Sequence, residues 1–373
     1  MVNPSERAGK IFASLEANEN INPKPDTLVL GNGTEPHLDA SFFYLTGFPY
    51  GLFEGSYVIA RKDGTVKLLT SALEEEIARS NSKGIEIRII PREEASLKLS
   101  ESAGNGITSI GINSAELTVK SLEVIKSAFK SAQIVDVSEA IESTRLVKDM
   151  EEVRLIQKAC DAASVAYRKV PSMLRAGTTE SEVAAKLAFE MQKNGGDGVS
   201  FDSIIAFGKN SALPHYTAGQ VKLKKGQFVL CDYGAKYRRY CSDITRTLVF
   251  GKASKQQKRM YEVVQHALEL GTEQCTPGFS GAEVNSRVTE FIDSTEFKGR
   301  FIHSLGHSLG LSVHDGPGLS RIYTKKLEPG MVVTVEPGIY IPGFGGVRIE
   351  DDLLITKTKP KVLTTAERGL IEA

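Results

Sequence analysis

The second part of this chain contains an internal repeat with a spacing of about one hundred residues, and this feature restricts its fold more than any other. Residues 175–183 resemble residues 276–284, and Gly177, Glu182 and Val183 each recur 101 positions later. Each copy leads into an apolar pattern with helical spacing. A duplicated helix-and-strand unit is expected to pair its two halves about a pseudo-twofold axis.

The repeat continues through residues that can carry chemistry. The matched pairs, with spacings of 99, 104 and 107 residues, are His215 and His314, Asp232 and Glu336, and Asp243 and Glu350. We expect Asp243 to lie in a strand that runs to Phe250 and Glu350 in a strand that runs to Ile355. We therefore expect two carboxylates from each half to converge on one place.

The remainder of the chain predicts a second, smaller domain. A length of 373 residues exceeds the usual size of one hydrophobic core. Strand-like runs at 27–31, 56–61, 66–70, 85–90 and 109–112 alternate with helical ones at 72–80 and 121–131. A long amphipathic pattern begins at Lys148. We place the domain junction near Arg145, which gives an α/β domain at 1–145 and a second domain at 146–373.

Charge and composition argue against several classes of function. Lys plus Arg equals Asp plus Glu at 46 each, so no global field favours nucleic acid or an anionic membrane. The first thirty residues have no uninterrupted apolar segment of the signal-peptide type, and we expect a cytoplasmic protein. The four cysteines, which have no CxxC spacing, are expected to be reduced packing residues: Cys160, Cys231, Cys241 and Cys275.

Four carboxylates that converge on one place need a positive partner, because like charges at low dielectric raise one another's pKa. Basic residues nearby could form ordinary ion pairs with single acids: Arg238, Arg239, Arg246 and Arg348. The repeat favours metal for the set as a whole, and His307 lies in a Gly-rich segment that can add an imidazole. Oxygen-rich ligation with one imidazole suits Mn, Co, Fe or Zn, and a two-metal site generates a bridging hydroxide near neutral pH. The predicted ligands are Asp232, Asp243, His307, Glu336 and Glu350.

Residues 303–310, with the sequence HSLGHSLG, fit two other motifs in part. Their HxxxH spacing lacks the adjacent glutamate of the HExxH zinc proteases, and Gly306 and Gly310 disfavour a regular helix. The GHSLG segment matches the G-x-S-x-G nucleophile elbow, which would make Ser308 a nucleophile. That family needs an acid and then a histidine later in the chain, whereas His314 is the only later histidine and no acid separates the two.

Four successive motifs resemble those of the creatinase/aminopeptidase superfamily, the pita-bread metallopeptidases. They are D-Y-G with Y-C-S-D-I-T-R-T at 232–247, H-x-x-G-H-x-x-G-L-x-V-H at 303–314, V-E-P-G-I-Y at 335–340 and G-V-R-I-E-D at 346–351. The run F-F-Y-L-T-G-F at 42–48 resembles a strand-turn of the extra N-terminal domain in the proline-directed members. The resemblance implies a C-terminal pita-bread domain with a curved antiparallel sheet, and a creatinase-type α/β domain that makes dimer contacts and closes the pocket.

The resemblance also implies roles for individual residues. Asp232 would hold one ion, His307 and Glu336 the other, and Asp243 and Glu350 would bridge both, with Glu336 as the proton shuttle. His215 and His314 would bind the substrate and donate hydrogen bonds to its carbonyl and to the tetrahedral intermediate. Three further residues would line the substrate pocket or orient ligands: His303, Tyr340 and Arg348.

On this basis we predict a homodimeric Xaa-Pro dipeptidase (prolidase) that cleaves short proline-containing peptides with two divalent ions, Mn or Co ahead of Zn or Fe. An Xaa-Pro aminopeptidase that acts on longer peptides is the nearest alternative. A non-catalytic or creatinase-like use of the same fold is the alternative from another class. Neither a nucleic acid nor a membrane is expected as a partner.

Overall fold

A computed structural model describes residues 3–373 of the chain. It consists of two compact units, the first of which ends at Arg145 and the second of which begins at Leu146. Both units combine helices with sheets, so the mixed α/β class expected from the sequence is confirmed.

The first unit is built on a six-stranded mixed sheet. Its strands are β1 (Thr27–Gly31), β2 (Tyr57–Arg61), β3 (Val66–Thr70), β4 (Glu86–Ile89), β5 (Ser109–Ile112) and β6 (Gln133–Asp136). They are ordered β4-β3-β2-β1-β5-β6. Strand β1 pairs antiparallel with β2, with Val29 opposite Ile59, and parallel with β5. The strands at 27–31, 66–70 and 109–112 have the bounds that the sequence predicted.

Six helices accompany this sheet. They are α1 (Pro4–Ala17), α2 (Ala40–Thr46), α3 (Glu75–Asn81), α4 (Ala95–Ala103), α5 (Val119–Ala128) and α6 (Ser138–Leu146). Leu99 of α4 and Ile125 of α5 are fully buried in one core with Val29, Ile59 and Leu69 of the sheet. The alternation of strand residues therefore supplies one apolar face, and the two amphipathic helices cover it.

The run at 42–48, which we interpreted as a strand-turn, is helical up to Thr46. Asp39 caps α2 by accepting a hydrogen bond from the Ser41 N–H at 2.7 Å, and Gly47 ends it in the left-handed region with φ of 68°. Phe42 and Phe43 are both buried, and the rings of Phe48 and Phe53 stack at 4.6 Å. Aromatic residues favour strands in isolation, but the two capping residues and burial on every side stabilise the helix here.

The second unit contains eleven strands in small sheets whose paired strands run antiparallel. They are β7 (Gly198–Val199), β8 (Ile204–Phe207), β9 (Phe228–Tyr233), β10 (Ala235–Tyr237), β11 (Tyr240–Cys241), β12 (Ile244–Val249), β13 (Val332–Val335), β14 (Gly338–Ile341), β15 (Gly345–Arg348), β16 (Asp351–Leu354) and β17 (Lys361–Val362). The sheets are ordered β12-β9-β8, β13-β16-β17, β11-β10-β7 and β14-β15.

Five helices belong to this unit. They are α7 (Met150–Tyr167), α8 (Val170–Met173), α9 (Glu180–Lys193), α10 (Lys255–Gln274) and α11 (Gly281–Asp293). The matched segments at 175–183 and 276–284 lead into two of them, α9 and α11. Both α9 and α11 begin with a capping box, in which Thr179 and Glu182, or Ser280 and Glu283, satisfy each other's backbone N–H groups. The matched sequence segments are therefore matched helix starts.

Each copy of the repeat packs its helices on its own antiparallel strand pair. In the first copy, α7 and α9 share a core with β9 and β12, and Cys231 lies in that core. In the second, α10 and α11 share a core with β13 and β16. Because side chains alternate along β9, Asp232 points to the opposite face from Cys231. Each strand pair thus turns an acidic face away from its helices, as the resemblance to pita-bread proteins implies.

The strands near Asp243 and Glu350 are shorter than the sequence suggested. Asp243 lies directly before β12, and Glu350 lies between β15 and β16 instead of within one continuous strand. Arg348 and Glu350 nevertheless line the same cavity. The backbone N–H of Glu350 donates to the Thr245 carbonyl at 3.1 Å, so this break attaches the second copy to the first.

Candidate metal centre

A cavity of about 540 Å³ lies in the second unit where the acidic faces of the two copies meet. Its polar lining contains every residue predicted for the site except Tyr340: His215, Asp232, Asp243, His303, His307, His314, Glu336, Arg348 and Glu350. Phe201, Ile204 and Val313 supply apolar walls. The convergence of both copies on one place, expected from the repeat, is present in the structure.

Three of the predicted ligands are close enough to share an ion. One ligand atom from each of Asp243, His307 and Glu350 lies within 4.8 Å of the other two. The Nε2 atom of His307 is 3.6 Å from Asp243 Oδ2 and 3.5 Å from Glu336 Oε1. The imidazole therefore faces two carboxylates at distances that leave room for a cation between them.

Several carboxylate oxygens in this cavity have no protein partner. Asp232 Oδ1, Asp243 Oδ1 and Glu350 Oε1 are buried and accept no hydrogen bond from residues 3–373. A buried carboxylate oxygen without a partner costs free energy, and native proteins rarely leave such an atom unpaired. Three of them around one cavity fit a site built for cations.

The crowding of these acids strongly perturbs their protonation. Burial, and then the charges of neighbouring carboxylates, raise the pKa of Asp243 and of Glu350 well above the ordinary range. Burial also raises the pKa of Glu336 to about 8. Divalent cations would reverse these shifts by neutralising the ionised forms, so the donor set fits hard, oxygen-preferring metals.

His307 is poised as a neutral ligand. Burial lowers its pKa to about 4, so the ring is uncharged at neutral pH. Its Nδ1 lies 3.2 Å from the carbonyl oxygen of Ser308, which can only accept, so the proton is assigned to Nδ1. The lone pair of Nε2 consequently points at Asp243 and Glu336, an arrangement that a cation makes favourable.

Thr245 holds one of the predicted bridging carboxylates. Its hydroxyl, which is fully buried, donates to Glu350 Oε2 at 2.6 Å and accepts from Arg348 Nε at 3.1 Å. Thr245 also lies opposite Asp232 in the β9–β12 pair. Sequence reasoning missed this residue, although its position two residues after Asp243 in a strand would have placed it on the same face.

Arg348 and Tyr340 are occupied by contacts within the protein. Arg348 pairs with Asp232 Oδ2 and donates to the Tyr340 hydroxyl at 2.8 Å. That hydroxyl lies 2.8 Å from His303 Nε2, and His303 Nδ1 lies 2.8 Å from the Ser304 carbonyl. The pKa of His303 is lowered to about 4 by burial, so the neutral ring donates through Nδ1 and accepts from Tyr340. The side chains of His303, Tyr340 and Arg348 thus form a hydrogen-bonded chain that ends at Asp232, a predicted metal ligand. The pair of Arg348 and Asp232 is one of the ordinary ion pairs that the sequence allowed for a single acid.

The two histidines matched by the repeat both line the cavity. These two are His215 and His314. The His314 ring also lies edge to face against the ring of the predicted ligand His307, with centroids 4.2 Å apart. Burial and the nearby His215 lower the pKa of His314, so this ring is neutral near pH 7 and can donate a hydrogen bond. The contact of His215 and His314 with substrate stays a prediction.

The nucleophile-elbow alternative does not fit the structure. Ser308 is buried, and its hydroxyl donates to the carbonyl of Pro317. Within residues 3–373, no histidine ring nitrogen is hydrogen-bonded to this hydroxyl. A serine nucleophile needs a base that takes its proton, so Ser308 is a packing residue.

Asp352 is a second residue near the site that the sequence did not reveal. Its Oδ2 accepts from the Asp243 N–H at 3.0 Å and from the Cys160 thiol at 3.2 Å, and burial raises its pKa to about 8.

All four cysteines are free and buried, in agreement with the prediction of reduced packing residues. Burial raises the pKa of the Cys160 and Cys231 thiols, which keeps them unreactive.

Among the helices of residues 3–373, none combines the length and apolar character that crossing a bilayer requires.

Two segments of the chain match known protein families. Residues 154–357 match the model of metallopeptidase family M24, and residues 26–147 match the creatinase/prolidase N-terminal domain. An Xaa-Pro dipeptidase of Pyrococcus horikoshii is 39% identical over 319 residues, which cover 85% of this chain and 88% of the relative.

Solved structures with the same fold include both kinds of proline-directed peptidase. The Xaa-Pro dipeptidase of Bacillus anthracis superposes with a TM-score of 0.88 at 33% identity and covers 100% of both chains. The X-Pro aminopeptidase of Thermotoga maritima gives a TM-score of 0.87 at 31% identity, with 94% of this chain and 98% of that chain covered.

Proposed function

The chain belongs to metallopeptidase family M24, and we propose that, as a peptidase of this family, it hydrolyses the Xaa-Pro bond of dipeptides at a site for two divalent ions. The observation that carries the proposal is the set of partnerless buried oxygens on Asp232, Asp243 and Glu350 beside the neutral His307. The Xaa-Pro dipeptidases among its relatives support the proline-directed branch.

We assign one ion to Asp232, the other to His307 and Glu336, and both to the bridging carboxylates of Asp243 and Glu350. The close approach of ligand atoms from Asp243, His307 and Glu350 supports this assignment. When bound, the ions would activate a water as the nucleophile and polarise the scissile carbonyl. Mn or Co is proposed ahead of Zn or Fe, since most of the donors are oxygens.

Glu336 is proposed as the proton shuttle. Its side chain reaches the cavity while Thr334 Oγ1 donates to it at 3.3 Å, so one carboxylate oxygen is oriented by the protein. Glu336 would take a proton from the attacking water and deliver it to the proline nitrogen, which must be protonated before it can leave. A carboxylate within reach of both the attacking water and the leaving nitrogen suits proton transfer in both directions.

His215 and His314 are proposed to bind the substrate carbonyl and the tetrahedral intermediate. Both line the cavity from matched positions of the repeat, and the neutral His314 ring can donate. Donors aimed at a developing oxyanion are worth about 10²- to 10³-fold in kcat. An Xaa-Pro bond has no N–H of its own, so recognition through the carbonyl suits this substrate class.

An Xaa-Pro aminopeptidase is the second candidate. The observation in its favour is the T. maritima X-Pro aminopeptidase, whose structure matches this chain almost as closely as that of the B. anthracis dipeptidase. The two activities differ in whether the peptide continues beyond proline. We also propose that the enzyme is a homodimer formed through the N-terminal domain at 1–145, which a mass measurement in solution would test.

The experiment is to remove metal from the protein and assay Met-Pro, Gly-Pro and an Xaa-Pro tripeptide, with Mn, Co or Zn added back. Gly-Ala serves as the control peptide without proline. Metal-dependent cleavage of the dipeptides alone would establish a prolidase, and preference for the tripeptide would establish the aminopeptidase. If neither is cleaved with any metal, a binding or creatinase-like role replaces the proposal.

A further inference from the structure

Glu180 is a fully buried carboxylate outside the metal centre, at the first position of α9. Its Oε1 accepts from the Phe207 N–H at 2.9 Å and from Asn210 Nδ2 at 3.0 Å. Its Oε2 accepts from the Tyr216 hydroxyl at 2.9 Å and from the Gly219 N–H at 3.2 Å. Both oxygens therefore accept two hydrogen bonds each.

The four donors come from both sides of His215. Phe207 ends β8, Asn210 lies in the short 3₁₀ turn that follows, and Tyr216 and Gly219 belong to the loop that leads back toward β9. His215 itself is exposed and makes no hydrogen bond with residues 3–373. Its place at the cavity wall therefore depends on the loop backbone, and the side chain next to it, Tyr216, is bonded directly to Glu180.

The second copy of the repeat holds its histidine loop without such a carboxylate. The residue equivalent to Glu180 is Gly281, where an added Cβ would lie 2.1 Å from the Gly318 carbonyl oxygen. The His314 loop thus packs on α11 by direct backbone approach. The helix and loop can therefore pack together without an acid at this position, and the Glu180 carboxylate supports only the loop that carries His215.

We propose that Glu180, acting through Tyr216 and Gly219, is a positioning residue that fixes His215 at the substrate carbonyl. This inference rests on the proposed function, in which His215 donates to that carbonyl. The four donors lock the Glu180 side chain in one orientation at the N-terminal end of α9. Misplacement of His215 after loss of this support is expected to lower kcat by about 10- to 100-fold.

Glu180→Gln is the primary variant, because an amide offers one accepting oxygen where the carboxylate offers two. We expect kcat to fall by about 10-fold or more, with KM and metal content unchanged, since the His215 contact strengthens in the transition state. Tyr216→Phe removes one hydroxyl from the same link and is expected to lower kcat by a smaller factor. It keeps the inference testable if the Glu180 variant does not fold.

Glu182→Gln is the matched control on the same helix turn. Glu182 accepts from the Thr179 N–H at 3.0 Å in the capping box and has no bond to the His215 loop. Its loss should lower the melting temperature while kcat stays at the wild-type value. A merely structural role for Glu180 would give the same pattern as this control.

A double-mutant cycle with His215→Ala provides the decisive readout. If Glu180 acts through His215, Glu180→Gln combined with His215→Ala should have the kcat of His215→Ala alone within about twofold. An undiminished further loss in the double variant, or wild-type kcat in Glu180→Gln, would overturn the inference.

Hydrogen exchange separates this inference from the proposed function. The backbone amides of 213–219 should exchange faster in Glu180→Gln than in the wild type and in Glu182→Gln, whether or not any peptide is cleaved. If the wild type cleaves no Xaa-Pro peptide, the proposed function fails while exchange still reports on the loop. Unchanged exchange in both Glu180→Gln and Tyr216→Phe would contradict the positioning role directly.

Discussion

Replacement of Thr245 by valine should weaken metal binding without changing any ligand. Valine keeps the shape of the side chain and removes the 2.6 Å hydrogen bond to Glu350 Oε2 and the 3.1 Å bond from Arg348. A hydrogen bond to a charged group contributes about 1.5 to 3 kcal/mol. If most of that stabilises the metal-bound geometry, affinity falls by about 10- to 100-fold, at about 1.4 kcal/mol for each factor of ten.

Thr247→Val is the matched control for this prediction. Thr247 is also fully buried in β12, but its hydroxyl donates to the Arg348 carbonyl at 2.9 Å and accepts from the Arg348 N–H at 3.2 Å. It therefore makes the same kind of bonds without contacting a ligand carboxylate. We expect a similar loss of stability, about 1 to 3 kcal/mol, with metal affinity within a few-fold of the wild type.

The assay is a chelator competition with Mn or Co on both variants and the wild type, with unfolding followed in parallel. The reasoning is refuted if Thr245→Val and Thr247→Val bind metal equally well. It is also refuted if Thr245→Val matches the wild type while its metal-free stability is reduced, because the hydroxyl would then support the fold and not the position of Glu350.

Three further outcomes are expected. His314→Ala should lower kcat by about 10²- to 10³-fold with metal content unchanged. Steady-state kinetics and metal analysis of the variant test this, and a loss of metal together with activity would show a structural role instead. Arg246→Met should cost about 3 to 5 kcal/mol in denaturant unfolding. It removes the 2.8 Å ion pair with the buried Asp351, which keeps only Arg368 as a basic partner, and it leaves the Ala366 and Glu367 carbonyls without their donor. A cost under about 1 kcal/mol would contradict this. The metal-free protein should lose stability from about pH 6.5 to 8, since the pKa of Glu336, raised to about 8, makes the folded state hold protons that the unfolded state has released. The pKa of His307, lowered to about 4, makes stability rise with pH only below about pH 6.5, so it does not mask this loss. A melting temperature that rises between pH 6.5 and 8 would refute the raised pKa of Glu336.

The sequence predicted the features that depend on local spacing. The matched helix starts of the repeat, the acidic strand faces and the common cavity follow from periodicity and offset, and the structure contains all three. The opposite faces of Cys231 and Asp232 follow from alternation in the same way. Local patterns suffice where a residue's environment is set by its own strand or helix.

Residues that act through distant partners could not be found by spacing. Glu180 contacts Tyr216 across 36 positions, and Asp352 accepts from Asp243 across 109. Such pairings are decided only when the chain has folded. The helix α2 (Ala40–Thr46) escaped detection for a related reason, because burial of Phe42 and Phe43 outweighs their preference for strands.

Metal stoichiometry tests the central claim most directly. Metal-free protein should be loaded with Mn or Co, freed of excess ion and analysed for bound metal per chain, beside Asp243→Asn and Glu350→Gln. We expect about two ions per chain in the wild type and a clear loss in both variants, since each is proposed to bridge the two ions. Wild-type protein that binds no ion, or variants that keep the full complement, would contradict the metal centre.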